Sequence, residues 1–314
     1  MLIGLIKTRV LVFLVCAAQL TLSLHAQELE PRAYSNIPVG MNFVVTGYVY
    51  VEGDVLFDVS SPVQDGQLSA HQFVVAYAHA LNVLGKSSKI DAIIPFGSVS
   101  GSAISGGQYY ERDVSGAGDP IFKFTWNFIG APALSLEEFA KHQTNWILGA
   151  SLRMTAPLGQ YDSDKLLNLG LNRWSFKPEL GLSKAWNRWT FEAAGAVTFA
   201  TANDKFFGNT KREQAPLLAI QGHILYTFGK GIWGGFDATY YAGGRTTLNG
   251  IENNDRQSSS RVGLTLSVPL TRQQSFKLYG STGATARAGG DFTIAGILWQ
   301  YRWGGNSPRT ASTR

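Results

Sequence analysis

Residues 297–303 place Ile297, Trp299, Tyr301 and Trp303 at one parity and Leu298, Gln300 and Arg302 at the other. Successive side chains of a strand point to opposite faces, so this run offers an aromatic wall to one side and a mostly polar wall to the other. The pattern recurs at residues 122–128, where Phe122, Phe124, Trp126 and Phe128 oppose Lys123, Thr125 and Asn127. It recurs again where Val262, Leu264, Leu266, Val268 and Leu270 oppose Arg261, Gly263, Thr265, Ser267 and Pro269. Strands that need an apolar solvent outside and a polar interior describe an all-β fold, a transmembrane antiparallel up-and-down β-barrel.

The N-terminal residues suit that destination. Lys7 and Arg9 precede an apolar run over residues 10–24, and Leu24-His25-Ala26 ends on a small residue, which predicts a cleaved secretory signal peptide over residues 1–26. The run falls short of the ~20 apolar residues that a spanning helix needs. Val15 before Cys16 disfavours lipid attachment, which wants a small residue there. Cys16 is the only cysteine, so the mature chain offers neither a disulfide framework nor a cysteine-based metal site. Without Lys7 and Arg9 the formal charge is about +3, a balance that implies no nucleic acid and no other polyanionic partner. The 35 glycines, 12 tyrosines, 18 phenylalanines and 8 tryptophans are the ingredients of tight turns and interfacial girdles, and they fit one barrel over residues 27–304. Residues 305–314 read as a disordered periplasmic tail.

Alternation bounded by turn residues predicts about twelve strands. They cover residues 41–52, 71–83, 89–97, 119–130, 145–157, 173–185, 188–200, 216–228, 232–243, 261–270, 275–287 and 292–303. Long polar connections at 53–70, 98–118, 158–172, 201–215 and 244–260 alternate with short turns at 84–88, 186–187, 229–231 and 271–274. That asymmetry puts the long loops outside the cell and both termini in the periplasm. Residues 131–144 are long for a periplasmic turn and suit a short helix around 134–141, whereas 288–291 are short for an outer loop. The glycines of 101–107 suit a flexible loop rather than a phosphate cradle. On the second strand neither face is clearly polar, and the larger Phe73, Val75 and Tyr77 are assigned to lipid.

Carried through every strand, the alternation turns Lys89, Asp91, Lys123, Asn127, Arg153, Lys177, Glu179 and Glu192 into the lumen. It does the same for Gln221, His223, Asp237, Arg261, Lys277, Tyr279, Arg287, Gln300 and Arg302. Facing the membrane are Phe122, Phe124, Trp126, Phe128, Trp146, Trp174, Phe176, Trp189, Phe191, Trp299, Tyr301 and Trp303. Two readings fit the mixed interior charges: a narrow electropositive passage, or a set of ion pairs that fills the barrel.

No spacing among His71, His79, His142 and His223 suits a metal site or a hydrolytic triad, so no metal, no cofactor and no enzymatic activity is expected. His223 and Gln221 read as hydrogen-bonding lumen residues. Asp162 with Asp164, and Glu252 with Asp255, lack the ligand spacing of a calcium loop and read as solvated charge.

Several segments together resemble an outer-membrane family, the transporters of the meta-pathway of phenol degradation. They are Gly116-Ala117-Gly118-Asp119-Pro120, Ala156-Pro157-Leu158-Gly159-Gln160-Tyr161, Asn168-Leu169-Gly170 and Asn172-Arg173-Trp174-Ser175-Phe176-Lys177-Pro178-Glu179. Downstream stand Asp237-Ala238-Thr239-Tyr240-Tyr241, Gly243-Gly244-Arg245-Thr246, Ser260-Arg261-Val262-Gly263 and Trp299-Gln300-Tyr301-Arg302-Trp303-Gly304. The resemblance covers most of the chain from Tyr34 to Gly304. It implies a barrel in the bacterial outer membrane that passes small molecules, aromatic ones among them, and it carries over no residue-level substrate site.

The reading that unites these features is an outer-membrane channel or passive transporter for small apolar or aromatic molecules. A closed structural or adhesive barrel is the first alternative. A lipid-modifying barrel enzyme is the second, and it would need a lipid-facing Ser and His that the apolar faces lack. Expected partners are outer-membrane lipids and lipopolysaccharide, a small-molecule substrate, and, during biogenesis, periplasmic chaperones and the barrel-assembly machinery. Gly296 with the alternating Trp299, Tyr301 and Trp303 resembles the C-terminal signal for that machinery. Residues 27–40 are too few for a separate plug domain, so any obstruction must come from lumen side chains, this terminal segment or an infolded loop.

Overall fold

The computed structural model describes residues 30–56, 63–105, 108–165, 167–286 and 289–305. The expected signal peptide, the tail beyond Gly305 and the expected lumen residue Arg287 lie outside the described residues. The first stretch of chain forms β1 (Met41–Leu56), β2 (Val63–Val83), β3 (Lys86–Ser105), β4 (Gln108–Ala117) and β5 (Ile121–Ile129). Then come α1 (Leu136–Lys141), β6 (Trp146–Thr155), β7 (Ser175–Trp186), β8 (Trp189–Ala200), β9 (Asn203–Phe206) and β10 (Thr210–Gln214). The remainder is β11 (Leu217–Gly229), β12 (Ile232–Gly243), β13 (Thr246–Leu248), β14 (Ile251–Glu252), β15 (Gln257–Pro269), β16 (Gln274–Ala286) and β17 (Gly289–Gly304).

Each wall strand pairs antiparallel with its neighbours, and the first pairs with the last, from Met41 opposite Gly304 to Leu56 opposite Gly289. This closure joins the sheet into a cylinder, the condition for strands to cross a membrane. β4 and β5 share one place in the wall, because both pair with β3: Ala117 sits opposite Phe96, and Ile121 opposite Ile93. Gly118-Asp119-Pro120 interrupts them, and Pro120 cannot supply a ladder hydrogen bond. Counted that way the barrel has twelve strands, as the alternation predicts.

Burial is inverted relative to a soluble barrel. Phe73 is 57% exposed and Leu264 66%, while Lys123 is 9% and Arg261 2%. Phe73, Val75 and Tyr77 of β2 are all exposed, on the side expected to face lipid. The turns follow from local chemistry. Leu84 and Gly85 both have positive φ, 52° and 72°, as the two-residue turn between β2 and β3 requires. Around 134–141 the expected helix forms as α1, started by a capping box in which Ser135 Oγ accepts from Glu138 N and Glu138 Oε2 accepts from Ser135 N.

The outer connections depart from the sequence expectation. Much of residues 53–70 and 98–118 continues the strands as tall hairpins, since the β2 to β3 pairing runs up to Ser105. The glycines of 101–107 expected in a loop therefore begin in strand. Residues 201–215 and 244–260 build a four-stranded sheet in the order β14-β13-β10-β9 above the barrel. Its outer hairpin turns at Asn249-Gly250, with φ of 47° and 83°.

Candidate functional site

The barrel interior is occupied from both ends. From the end that carries the start of β1 and the end of β17, the segment before β1 runs into the lumen. Glu30 pairs with Lys123 of β5 and lies 3.8 Å from Arg153 of β6. Burial alone would raise the Glu30 carboxyl, but Lys123 and then Arg153 outweigh it and hold its pKa below the usual carboxylate range. Arg32 N donates to Glu192 Oε2 of β8 at 2.7 Å, and its guanidinium lies 4.4 Å from the Trp233 ring of β12. Asn127 Nδ2 donates to the Ser35 carbonyl at 3.2 Å.

Tyr34 is the pivot of this segment. Its hydroxyl donates to Glu179 Oε1 at 2.8 Å and lies 3.4 Å from Ser151 Oγ. Burial, then the Glu179 charge, push its pKa up and keep it a donor. The ring packs against the paired glycines Gly149 of β6 and Gly181 of β7, where its carbons leave no room for an added Cβ. Only glycine permits that approach.

From the outer side, the connection between β6 and β7 folds inward. Leu167 and Leu169 pack against Val49 and Val51 of β1, Leu68 and Ala70 of β2, Val99 of β3, Val114 of β4 and Phe292 of β17. Asp119, fully buried, holds the loop: its Oδ1 accepts from Gly159 N at 2.8 Å and its Oδ2 from Leu171 N at 2.7 Å. Asn203 of β9 ties the loop to the outer sheet by donating to the Leu171 carbonyl and the Tyr161 hydroxyl.

The remaining expected lumen residues form local pairs. Lys89 and Asp91 of β3 are 3.0 Å apart, and Lys177 lies 3.7 Å from Glu179, which also accepts from Gln221 Nε2 at 3.0 Å. His223 Nδ1 bonds Asp237 Oδ1 at 2.6 Å, and Thr265 donates to the second oxygen of Asp237. Arg261 donates to Ser281 and to the Phe292 carbonyl. Lys277, Tyr279 and Gln300 are half-buried. Arg302 departs from the expectation. It is exposed, and its Nε donates to the Arg272 carbonyl, so it braces the rim turn instead of lining the lumen, because β17 ends two residues later.

Aromatic rows cover the outer face. Trp126 packs on Phe128, Trp174 on Phe176, Trp189 on Phe191 and Tyr226, and Trp299 on Tyr301 and in turn Trp303. Phe122, Phe124, Trp146, Trp174, Trp189, Phe191 and Trp303 are all exposed. Trp233, under Arg32, is the inward exception. Brominated lipids are therefore expected to quench most tryptophan emission in the refolded protein and to leave Trp233 untouched, so a Trp233→Phe variant should lose mainly the unquenched part. Emission indifferent to brominated lipid contradicts the outward assignment.

Strand alternation missed Glu30, Arg32 and Tyr34, which precede the first strand, and Arg173 and Arg212 in the outer connections. For the infolded loop a signal was present: Leu167, Leu169 and Leu171 alternate inside an otherwise polar stretch. The acidic loop residues are engaged by protein. Asp162 Oδ1 accepts from Asp164 N, Glu252 pairs with Arg245 at 3.0 Å, and Asp255 accepts from Thr246 N and Oγ1. Among the described residues no group of His, Cys, Asp and Glu is placed to hold a metal ion.

Residues 46–303 match the family described as MetA-pathway of phenol degradation. The chain belongs to this family. Its barrel lies in the bacterial outer membrane. No curated protein sequence matches the chain. Among solved structures, it is similar to an outer membrane channel from Pseudomonas putida F1, with a TM-score of 0.76 and 23% identity over 88% of this chain and 100% of that one. It is also similar to the transport unit of the autotransporter AIDA-I from Escherichia coli, with a TM-score of 0.52 and 8% identity over 91% of this chain and 96% of that one. Both likenesses concern the fold.

Proposed function

We propose that the protein is a gated channel or passive transporter that carries small molecules with an apolar or aromatic body across the outer membrane. The observation that carries this reading is the two-sided interior. β5 to β8, β11 and β12, with the Lys89–Asp91 pair on the first part of β3, present charged and polar groups, whereas β1, β2, the later part of β3, β4 and β17 also present Val49, Val51, Leu68, Val99, Val114 and Phe292. An apolar strip inside a barrel wall has no role in holding strands together in lipid, but it gives a hydrocarbon a surface on which to travel. Here two leucines of a connecting loop cover it, so passage requires that loop to shift.

The family membership and the channel from Pseudomonas putida F1 support the same reading. Enzymatic activity has less support. His223 is paired with Asp237, whose other oxygen is taken by Thr265, and no hydroxyl nucleophile among the described residues bonds the imidazole. For biogenesis, β17 offers Trp299, Tyr301 and Trp303 as a docking edge for the assembly machinery before it pairs with β1.

The test is dye uptake in cells with an intact lipopolysaccharide layer. Influx of N-phenylnaphthylamine, followed by its fluorescence, should rise several-fold when the protein is present. In planar bilayers the wild type should conduct ions weakly. Unchanged influx together with no conductance favours a closed structural barrel, whose lumen is filled by residues 30–40 and the infolded loop.

A further inference from the structure

Between the infolded loop and the charged wall lies a cavity of about 40 Å³, lined by Arg153, Arg173, Lys177 and Gln214 on its polar side and by Leu171 and Leu217 on its apolar side. Its lining contains three cations and no carboxylate. Arg173 is only 4% exposed, and its Nε and Nη1 have no hydrogen-bond partner among the described residues. Its Nη2 donates to the neutral Gln214 Oε1. Buried donors without acceptors cost stability, a guanidinium most of all, unless an acceptor enters the site.

We propose that this cavity binds the carboxylate group of a small organic acid. The groups around it carry more positive than negative charge, and the excess calls for an anion. Arg153 shares Glu30, 3.8 Å away, with Lys123, and Lys177 has Glu179 at 3.7 Å, while Arg173 has only an amide. A second guanidinium, Arg212, bears on Arg173 from the outer sheet, and the Asp255 carboxylate acts on Arg212 in the opposite sense. Burial pushes the Arg173 pKa down to about 10, which still leaves it charged at neutral pH.

Size and shape narrow the class. The volume admits more than one water but no large group, which suits a planar carboxylate with a short hydrocarbon stub against Leu171 and Leu217. Because the loop that covers the apolar strip also supplies Leu171 and leads into Arg173, the site lies beside the proposed route. Assigning the bound acid to transported molecules rests on the channel reading; the binding itself does not.

Acetate is the probe and acetamide its neutral control, with the full mature protein in detergent at pH 7.5 and constant ionic strength. Acetate should raise the thermal unfolding midpoint by about 2 °C or more at tens of millimolar, and acetamide should not. Arg173→Gln should lose the shift. Ser175→Asp, which places a carboxylate of the chain's own at the cavity lining, should lose it too, and this variant answers the question if Arg173→Gln fails to fold. No acetate shift in the wild type, an equal shift with acetamide, or an undiminished shift in the variants overturns the site. Because the readout is binding, a barrel that never conducts still answers it, and the two proposals fail separately.

Discussion

Glu179→Leu is expected to destabilise the barrel by on the order of 3 kcal/mol and to raise its ion conductance several-fold. Glu179 is 5% exposed and accepts from the Tyr34 hydroxyl and Gln221 Nε2, with the Lys177 ammonium at 3.7 Å. Leucine removes the acceptor and leaves all three donors in place, the ammonium among them. The larger part of the loss is that stranded charge, so the double variant Lys177→Met/Glu179→Leu should be more stable than the single one. Conductance should rise in both, since Tyr34 loses its anchor and residues 30–40 lose the contact that seats them against Gly149 and Gly181. Thermal unfolding in detergent beside single-channel recording reads both effects. A single variant as stable as the wild type would mean that lumen water already screens these charges, as it does at a protein surface.

How much of this was legible in the sequence depends on which force places each residue. Lipid makes the outer face of every strand apolar, so a period of two survives along the chain and yields the strand number and the facing of Lys123, Glu179 or Arg261. Alternation says nothing about which charge meets which. The partner of Lys123 is Glu30, far away in sequence and in a segment with no periodicity, so the inner plug could not be read from the strands. Arg302 shows a related limit: parity turned it inward, but its place at the strand end puts it on the rim.

The outer connections were misjudged for a different reason. Polar composition suggested solvated loops, yet residues 201–215 and 244–260 pair into a sheet whose one clear sequence signal is Asn249-Gly250, the dipeptide that a tight hairpin favours. In the loop after β6, Leu167, Leu169 and Leu171 needed something apolar to meet. Of the residues that receive them, Leu68, Ala70, Val99 and Val114 fell in stretches expected to be polar connections, and Val49, Val51 and Phe292 stood near strand ends, so the inward apolar strip was not visible along the chain.

Asp119→Ala is expected to release that loop while leaving the wall intact. Both carboxylate oxygens of this fully buried residue are taken by backbone donors, Gly159 N at 2.8 Å and Leu171 N at 2.7 Å. Alanine leaves the buried Leu171 N–H and the partly buried Gly159 N–H without an acceptor, the buried one costing roughly 1–3 kcal/mol. The loop recovers those hydrogen bonds from water only by leaving the lumen, and Leu167 and Leu169 then withdraw from Val51 and Phe292. Strand pairing does not pass through the loop, so heat-modifiable migration should remain normal. Proteolysis within residues 158–172 should accelerate roughly tenfold or more, because cleavage follows the population of the open form. Asp119→Asn keeps one acceptor oxygen and should fall between alanine and wild type. Dye influx should rise with the cleavage rate across the three proteins, since the same displacement exposes the apolar strip. If cleavage rises but influx does not, the loop is not the gate, and the obstruction that matters is the segment carrying Tyr34. Combining Asp119→Ala with Glu179→Leu separates the two, because they free opposite ends of the lumen, and conductance above either variant alone shows that the two obstructions act in series.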